Sequence, residues 1–405
     1  MSKINTDQAK IQELLTRSID TIYPNKESLE KLLNSGKQLR IYMGIDPTAT
    51  YAHLGHATNY IILKRLHDLG HKIIVLIGDF TAMIGDPSDK NSARQRLSEK
   101  QVQENLKHFK KQIGKILNFS DKKNPIEFKF NSQWLKKLNF ADLVDLASHF
   151  TVQRMLERDN FEKRLKEQKP LYVHEFFYPL MQGYDSVALK ADVEIGGTDQ
   201  TFNMLAGRTL AKIYQNREKI VVTTTLLENP VTGEKLMSKS LGTGIGLDEN
   251  PTDMFGKTMA LPDEAIIQCF IDCTYLSLAE IKDLEAQMKA GTNPRDLKVR
   301  LAYEIVKMYH SEKDAKLAQE NFDKVFAKKE NPDDMPEFTI SKNKINPVDL
   351  LMEIKLVNSK SEARRLIEGG GLKLNQIKVE NWDQDLNLKS GDVIQAGKRK
   401  FAKIK

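Results

Sequence analysis

Two apolar runs flank a segment with helical spacing, and this arrangement constrains the fold more than any other feature of the sequence. LRIYMGID (residues 39–46) predicts a buried strand that ends at Asp46-Pro47, and HKIIVLIGDF (71–80) predicts a second one. Between them, HATNYIILKRLHDLG (56–70) has apolar residues at helical spacing and ends on a glycine that favours a helix C-terminus. Strand, helix and strand in this order predict a βαβ unit, and therefore a doubly wound parallel α/β domain.

The rest of the chain divides by pattern. Residues 98 to about 171 are predicted to be a mostly helical insertion, after which ADVEIGGTDQ (191–200) and KIVVTTTLL (219–227) return to strand. Residues 251–328 are predicted to be helical throughout, and the polar, proline-bearing segment that follows predicts a linker. A chain of 405 residues is too long for one core, so two or three domains are expected.

Composition excludes several classes of protein. No run approaches the roughly 18 apolar residues of a membrane span, and the charged N-terminus lacks the apolar core of a signal peptide, so a cytoplasmic location is expected. Cys269 and Cys273 lie four residues apart with no second Cys or His pair nearby, which favours two buried thiols over a structural metal site. The net charge of +7 suggests an anionic partner.

The first motif with chemical content is His53-Leu54-Gly55-His56, at the predicted start of the first crossover helix. Free backbone N–H groups and the positive end of the helix dipole make that position an anion site. Two imidazoles three residues apart can both donate to phosphate oxygens, and Gly55 leaves room for a nucleotide to approach the backbone. Taken alone, the motif also fits two exposed helix-capping histidines.

The second motif is Lys235-Leu236-Met237-Ser238-Lys239-Ser240, about 180 residues later in a glycine-flanked stretch. Lysines in such a loop can neutralise charge on a pyrophosphate leaving group. Taken alone, the loop also fits a solvated basic turn.

Together the two motifs resemble the signature of class I aminoacyl-tRNA synthetases, whose loop usually reads Lys-Met-Ser-Lys-Ser. Here Leu236 fills the first position of that loop and Lys235 precedes it. The resemblance implies a Rossmann-like catalytic domain, followed by an all-helical domain and a small α+β RNA-binding domain. The expected bounds are 1–232 for the catalytic domain with its insertion at about 98–171, 233–328 for the signature loop and the helical anticodon-binding domain, 329–343 for the linker, and 344–405 for the last domain.

Further motifs are similar to those of tyrosyl-tRNA synthetases: YMGIDPTA (42–49), IGDPSDK (84–90), YPLMQGYD (178–185) and GGTDQ (196–200). The resemblance implies that Tyr42 and Asp185 contact the phenolic hydroxyl of tyrosine. It assigns the substrate's ammonium group to Asp86, Tyr178 and Gln182, with Gln200 nearby. It implies ATP contacts for Asp46, Gly55, Gly197, Asp199, Lys235, Met237, Ser238 and Ser240, and catalytic roles at the phosphates for Thr48, His53, His56 and Lys239. By the same analogy Lys90 and Arg94 contact phosphate or tRNA, or else belong to a solvated loop.

The spacing of three of these residues agrees with such a pocket. Tyr178, Gln182 and Asp185 lie at i, i+4 and i+7, so they occupy one stripe of a helix. A buried stripe is normally apolar, and polar side chains there need partners, which a bound polar substrate can supply. An exposed polar helix face is the alternative.

The last 61 residues form a basic module with its own apolar pattern. From Ile345 to Lys405 there are 12 Lys and Arg against 8 Asp and Glu. Two short helices are expected, the second capped by Ser361, and the segment resembles the ribosomal S-four-type RNA-binding domain. That resemblance implies that Arg364, Arg365 and Lys373 face RNA.

The implied function is tyrosine–tRNA ligase: ATP activates L-tyrosine, with Mg²⁺ on the ATP phosphates, and the tyrosyl group passes to the 3′-terminal adenosine of tRNA(Tyr). A homodimer is expected, and neither a membrane nor a DNA partner. A tryptophanyl-tRNA synthetase is the nearest alternative, and Asp185 opposite Tyr42 favours a phenol over an indole. A small-molecule adenylyltransferase would explain only the first motif, and a non-enzymatic RNA-binding protein only the C-terminal module.

Overall fold

The structure, a computed structural model, describes residues 4–47, 51–86, 98–237, 243–326, 335–357, 359–397 and 400–405. The chain divides into two compact units. The first comprises Met1–Glu249 and Leu261–Leu301, and the second comprises Asn250–Ala260 and Ala302–Lys405.

A six-stranded sheet organises the first unit. Its strands are β1 (Ile19–Tyr23), β2 (Arg40–Ile45), β3 (Lys72–Ile77), β4 (Glu127–Phe130), β5 (Val193–Gly197) and β6 (Ile220–Thr224), in the order β1-β6-β5-β2-β3-β4. All neighbours are parallel except β1, which runs antiparallel to β6. The chain leaves β2 towards β3 and later returns to β5 on the other side of β2. The strand order therefore reverses between β2 and β5, and ligands of such sheets bind beyond the carboxyl ends of the strands at that point.

Helices separate these strands along the chain and follow the last of them. The helices before β5 are α1 (Gln8–Leu14), α2 (Lys26–Leu33), α3 (Leu54–Asp68), α4 (Thr81–Ile84), α5 (Glu99–Ile113), α6 (Ser132–Leu135), α7 (Phe140–Ser148), α8 (Val152–Leu156), α9 (Asp159–Lys166) and α10 (Val173–Leu189). Those after it are α11 (Thr201–Gln215), α12 (Pro251–Met259), α13 (Ile266–Cys273), α14 (Leu278–Lys289), α15 (Pro294–Tyr309) and α16 (Glu312–Phe326). Within the described part of 251–328 no strand occurs, as the sequence predicted.

The predicted βαβ unit is confirmed as β2, α3 and β3. Both strands are apolar because both of their faces are covered, and every residue from Ile73 to Ile77 is buried. The helix ends as expected, with Gly70 at a φ of +93°, a conformation that suits glycine.

Two strands were missed by the sequence analysis. No strand was predicted before residue 39, but β1 lies there, and the predicted helical insertion contains β4. Both strands form the edges of the sheet, and neither is fully buried along its length. Short edge strands carry a weak hydrophobic pattern, so periodicity alone did not reveal them.

The C-terminal module of the second unit is an α+β fold, as expected. It contains strands β7 (Glu337–Phe338), β8 (Lys344–Ile345), β9 (Leu372–Leu374), β10 (Ile377–Lys378), β11 (Leu386–Asn387), β12 (Val393–Ala396) and β13 (Lys400–Ile404), and helices α17 (Pro347–Glu353) and α18 (Lys360–Glu368). The sheet order β10-β9-β12-β13-β7 includes a strand from the segment predicted to be a linker.

One cap in this module differs from the prediction. The N-cap of α18 is Ser359, whose side chain accepts a hydrogen bond from the Glu362 N–H at 3.1 Å, so the assignment of Ser361 was wrong. Both serines precede the same amphipathic stretch, and the backbone geometry decided between them.

No helix in the described ranges is both long and apolar enough to cross a bilayer.

Candidate active site

A cavity of about 490 Å³ opens at the carboxyl ends of β2 and β5, where the strand order reverses. Its size is typical of a site for a small molecule. Residues from β2, α3, β5, α10 and the segment after β6 line it, and they include Gly44, Asp46, His53, Gly55, His56, Asp86, Tyr178, Gln182, Asp185, Glu194, Gly196, Gly197, Asp199, Gln200, Lys235 and Met237. The sheet therefore brings together most of the residues that the sequence selected.

One buried carboxylate of the cavity is Asp185 on α10, with 2% of its surface exposed. Its oxygens accept hydrogen bonds from Trp134 Nε1 at 2.7 Å and Asn131 Nδ2 at 3.3 Å. Burial raises the pKa of Asp185 well above its usual value, while the two donors act to lower it. The arrangement leaves a carboxyl group in an apolar wall where a phenolic hydroxyl can bond to it.

Asp46, at the end of β2, links two walls of the cavity. It accepts hydrogen bonds from Thr81 Oγ1 at 2.7 Å and from the Tyr178 hydroxyl at 2.8 Å. Gly78 makes this approach possible, because a Cβ there would lie 1.9 Å from Asp46 Oδ1. The predicted stripe of α10 therefore does face the cavity, and one of its polar members already has a carboxylate partner.

Asp86 lies between a cation and an amide. It accepts hydrogen bonds from Arg158 Nη2 and from Gln200 Nε2, both at 2.7 Å. Gln200 also accepts a hydrogen bond from Asn203 Nδ2 at 3.0 Å, which fixes the orientation of its amide. Three charged or amide groups are thus held in a fixed geometry at this wall.

A buried ion pair lies behind the cavity wall. Lys219, with no exposed surface, contacts Glu194, and it donates to Ser186 Oγ at 2.7 Å. Tyr42 shares a 2.7 Å hydrogen bond with the same serine and is absent from the residues that line the cavity. Gln182 lines the cavity and donates to Glu194 at 3.4 Å. The hydroxyl of Tyr42 therefore belongs to the hydrogen-bond network of this ion pair, behind the residues that line the cavity.

The histidine motif begins α3, as predicted. His53 is the N-cap, and its backbone N–H donates to His56 Nδ1 at 3.2 Å while the two rings stack at 3.9 Å between centroids. Burial, together with the neighbouring His56, lowers the pKa of His53 to about 3, and burial lowers that of His56 to about 4. Both rings are therefore neutral near pH 7 and offer N–H donors beside the positive end of the helix.

Glycines at the end of β5 and in the first turn of α3 form another part of the cavity wall. Gly197 lies where a Cβ would be 2.5 Å from Asp199 Oδ1, and at Gly55 a Cβ would lie 3.1 Å from the His53 ring. Lys235 and Met237 complete this part of the lining. Four predicted site residues, Thr48, Ser238, Lys239 and Ser240, lie outside the described residues, and so do Lys90 and Arg94.

Some residues of the site were not predicted. Arg158, Asn131 and Trp134 come from the insertion, Glu194 lies in β5, and Lys219 immediately precedes β6. A glutamate inside the apolar run of β5 is an anomaly that burial logic could have detected. The others have no local signal, because only the folded chain brings them to the cavity.

Comparison with known proteins gives the family. Residues 34–327 match the family described as tRNA synthetases class I (W and Y), and residues 328–404 match the tyrosine–tRNA ligase SYY-like C-terminal domain. Tyrosine–tRNA ligase 2 of Clostridium acetobutylicum is 47% identical over 396 residues, which are 97% of both chains. Tyrosine–tRNA ligase of Thermotoga maritima is 45% identical over 97% of this chain and 96% of its own. The chain belongs to the tyrosine–tRNA ligase family.

Solved structures of this family share the fold. A C-terminally truncated mitochondrial tyrosyl-tRNA synthetase from Aspergillus nidulans superposes with a TM-score of 0.66 at 23% identity, covering 78% of this chain and 94% of that one. The tyrosyl-tRNA synthetase from Archaeoglobus fulgidus, solved in complex with L-tyrosine, gives a TM-score of 0.59 at 22% identity, over 77% and 99% of the two chains. The tyrosine–tRNA ligase fold thus extends over most of this chain.

Proposed function

We propose that the protein activates L-tyrosine with ATP to tyrosyl-adenylate and then transfers the tyrosyl group to the terminal adenosine of tRNA(Tyr). The observation that carries this proposal is one continuous cavity. At one end it presents buried carboxylates, and at the other the paired histidines at the N-terminus of α3. An amino acid and a nucleotide triphosphate can therefore meet in it.

Recognition of tyrosine follows from the carboxylate end. Asp185 would accept a hydrogen bond from the phenolic hydroxyl. Tyr42 would stabilise the wall behind that contact. Asp86, Tyr178 and Gln182, with Gln200 alongside, would surround the ammonium group, because a cation is stabilised among carboxylate and amide oxygens. Asp185, with Tyr42 behind the wall, suits a phenolic hydroxyl, so tyrosine is favoured over tryptophan.

ATP would bind as its Mg²⁺ complex at the other end. Gly55 and Gly197 allow its ribose and phosphates to approach the backbone, and Asp199 would accept from a ribose hydroxyl. Asp46, Lys235 and Met237 complete this subsite. The roles of Thr48, Ser238, Lys239 and Ser240 rest on the sequence motifs. In the described residues no group of three or more His, Cys, Asp or Glu side chains is arranged to hold a metal ion.

Catalysis would consist of positioning and charge stabilisation. The tyrosine carboxylate attacks the α-phosphorus in line, and pyrophosphate leaves. His53 and His56, as neutral donors beside the positive end of α3, bond to oxygens whose charge grows in the transition state. The 2′-hydroxyl of the terminal adenosine then attacks the adenylate carbonyl and releases AMP.

The C-terminal module would bind the tRNA. Arg364 and Arg365 are exposed on α18, and the Arg364 guanidinium stacks 4.5 Å from the Trp382 ring, while Lys373 is half-buried on β9. Arginine on an aromatic platform suits contact with nucleic-acid bases and phosphates. A cytoplasmic location would follow from this role in translation.

A homodimer is proposed for a separate reason. Phe140, Val152 and Val173 are 81%, 67% and 72% exposed in and beside the insertion. Large apolar side chains exposed in one region are typical of an interface with another chain. Sedimentation of the wild-type protein and of Phe140→Asp would test it, since a charge in the interface should favour the monomer.

The function is tested by amino-acid-dependent ATP–pyrophosphate exchange with tyrosine, tryptophan and phenylalanine in parallel, without tRNA. Exchange with tyrosine alone is expected. His53→Ala should depress the exchange rate and leave tyrosine affinity largely unchanged, and His108→Ala, at an exposed position on α5, serves as the matched control. Exchange with tryptophan would show that the amino-acid specificity is for tryptophan. No exchange with any amino acid would refute the proposal.

A further inference from the structure

The segments on either side of the two signature motifs are joined directly. Leu54 N–H donates to Ile245 O at 3.0 Å, and Leu247 N–H donates to Ala52 O at 2.9 Å, so residues 51–54 and 244–248 pair antiparallel. The Tyr51 hydroxyl donates to Gly244 O at 2.8 Å. We call this paired arrangement the clasp. It ties the start of α3, with its histidines, to the chain that leaves the lysine motif.

One side chain from outside holds both halves of the clasp. Gln112, near the end of α5, is 2% exposed. Its Oε1 accepts a hydrogen bond from Ala52 N–H at 2.7 Å, and its Nε2 donates to Asp248 Oδ2 at 2.9 Å. The uncharged amide of a glutamine can accept at its oxygen and donate at its nitrogen at the same time, as this position requires.

We propose that Gln112 is a positioning residue for adenylate formation, and this inference rests on the proposed function. Ala52 immediately precedes His53, and Asp248 lies nine residues after Lys239 of the lysine motif. Gln112 therefore holds the segment that leads into His53 against the segment at Asp248. Small displacements of catalytic groups are costly, with a shift of about 1 Å worth roughly a hundredfold in rate.

A purely structural role would affect the protein differently. The buried Ala52 N–H needs an acceptor whatever the chemistry, so any loss of Gln112 lowers stability. The tyrosine end of the cavity is built from other elements, chiefly α10 and the strand ends. A positioning role therefore lowers kcat and leaves the KM for tyrosine unchanged, whereas general loosening of the fold would alter both.

The first test replaces Gln112 with methionine, which has similar length and no polar end. In tyrosine-dependent pyrophosphate exchange, Gln112→Met should lower kcat by roughly tenfold to a hundredfold, with the KM for tyrosine within a factor of two. Gln103→Met, at an exposed position on the same helix, is the matched control and should keep wild-type kinetics. A normal kcat for Gln112→Met in an active wild-type background would overturn the inference alone, whereas an inactive wild type would overturn the proposed function.

The second test reverses the polarity of one hydrogen bond. Gln112→Glu keeps the acceptor for Ala52 but sets a carboxylate against Asp248, so kcat should fall at pH 8 and recover partly as the pH is lowered. Adding Asp248→Asn supplies a donor to that carboxylate and should restore most of the lost kcat. This comparison of Gln112→Glu with the double variant remains decisive if Gln112→Met does not fold, because Glu and Asn have nearly the same size as the residues they replace. No rescue by Asp248→Asn would refute the proposed geometry.

Discussion

Replacing Lys219 with methionine gives the sharpest test of how the tyrosine end of the cavity is built. The ammonium of Lys219 is fully buried, contacts Glu194, and donates to Ser186 Oγ and to Met204 O at 3.1 Å. Burial lowers the pKa of Lys219, and the neighbouring Glu194 carboxylate raises it again. Methionine has similar length and volume, so the variant removes the charge without opening a large cavity.

The magnitude follows from what Glu194 loses. Its side chain is 2% exposed, so without Lys219 a carboxylate stays in the interior with no cation beside it. Breaking a buried ion pair from one side costs about 3–5 kcal/mol. Replacing both partners leaves no unpaired charge, so Lys219→Met with Glu194→Gln should cost far less than Lys219→Met alone.

The assay is urea unfolding followed by tryptophan fluorescence. The chain has two tryptophans, and a Trp382→Phe background leaves Trp134, which lies in the same unit as the ion pair, as the only reporter. Lys64→Met is the matched control, because Lys64 pairs at 2.6 Å with a partner on an exposed helix face and should change the free energy of unfolding by less than about 1 kcal/mol.

The reasoning has a second readout in activity. Glu194 lines the cavity and accepts from Gln182, and Tyr42 bonds to the serine that Lys219 holds. Lys219→Met should therefore also raise the KM for tyrosine. A free energy of unfolding within about 1 kcal/mol of wild type would refute the reasoning. So would a double variant as unstable as the single one.

Three further predictions concern other parts of the first unit. Trp134→Phe removes the 2.7 Å hydrogen bond to Asp185, a bond of a kind worth about 1.5–3 kcal/mol, so the KM for tyrosine in pyrophosphate exchange should rise roughly tenfold to a hundredfold; an unchanged KM would contradict that. Because burial lowers the pKa of His56 to about 4 from 6.5, the unfolded chain takes up the proton first, and stability should fall as pH drops from about 6.5 towards 4; NMR should show no titration of this ring between pH 6 and 8. Burial raises the pKa of Cys269 to about 12 and that of Cys273 well above its usual value, so a thiol reagent at pH 8 should label neither in the native protein and both in guanidinium; rapid native labelling would show that the helix opens.

The sequence could predict those parts of the site whose geometry is local. The glycine-ended helix α3 between two largely apolar strands is determined by residues 39–80, so His53 and His56 were placed correctly at its start. The stripe of Tyr178, Gln182 and Asp185 follows from helical periodicity alone, and all three line the cavity. Local spacing decides such features because each needs only its own helix or strand.

Other parts of the site depended on distant segments. Nothing near Lys219 distinguishes it from a solvated lysine, and its burial arises only because β6, α10 and α11 pack around it. A Cβ at Gly207 on α11 would lie 2.6 Å from its Nζ, so a glycine on a neighbouring helix is also needed to admit it. The same holds for Tyr42, which family motifs place at the substrate, but whose hydroxyl bonds to Ser186.

The sequence by itself therefore determined the family, the α/β sheet of the first unit and the order of the signature motifs, because each of these depends on short runs of residues. The tertiary structure decided which polar groups are paired inside. Gln112 bonds to Ala52, 60 residues away, and to Asp248, 136 residues away, and the Lys219–Glu194 pair is buried only when several elements pack around it. Burial and hydrogen-bond pairing are properties of the packed chain, and the physical chemistry of the site depends on them.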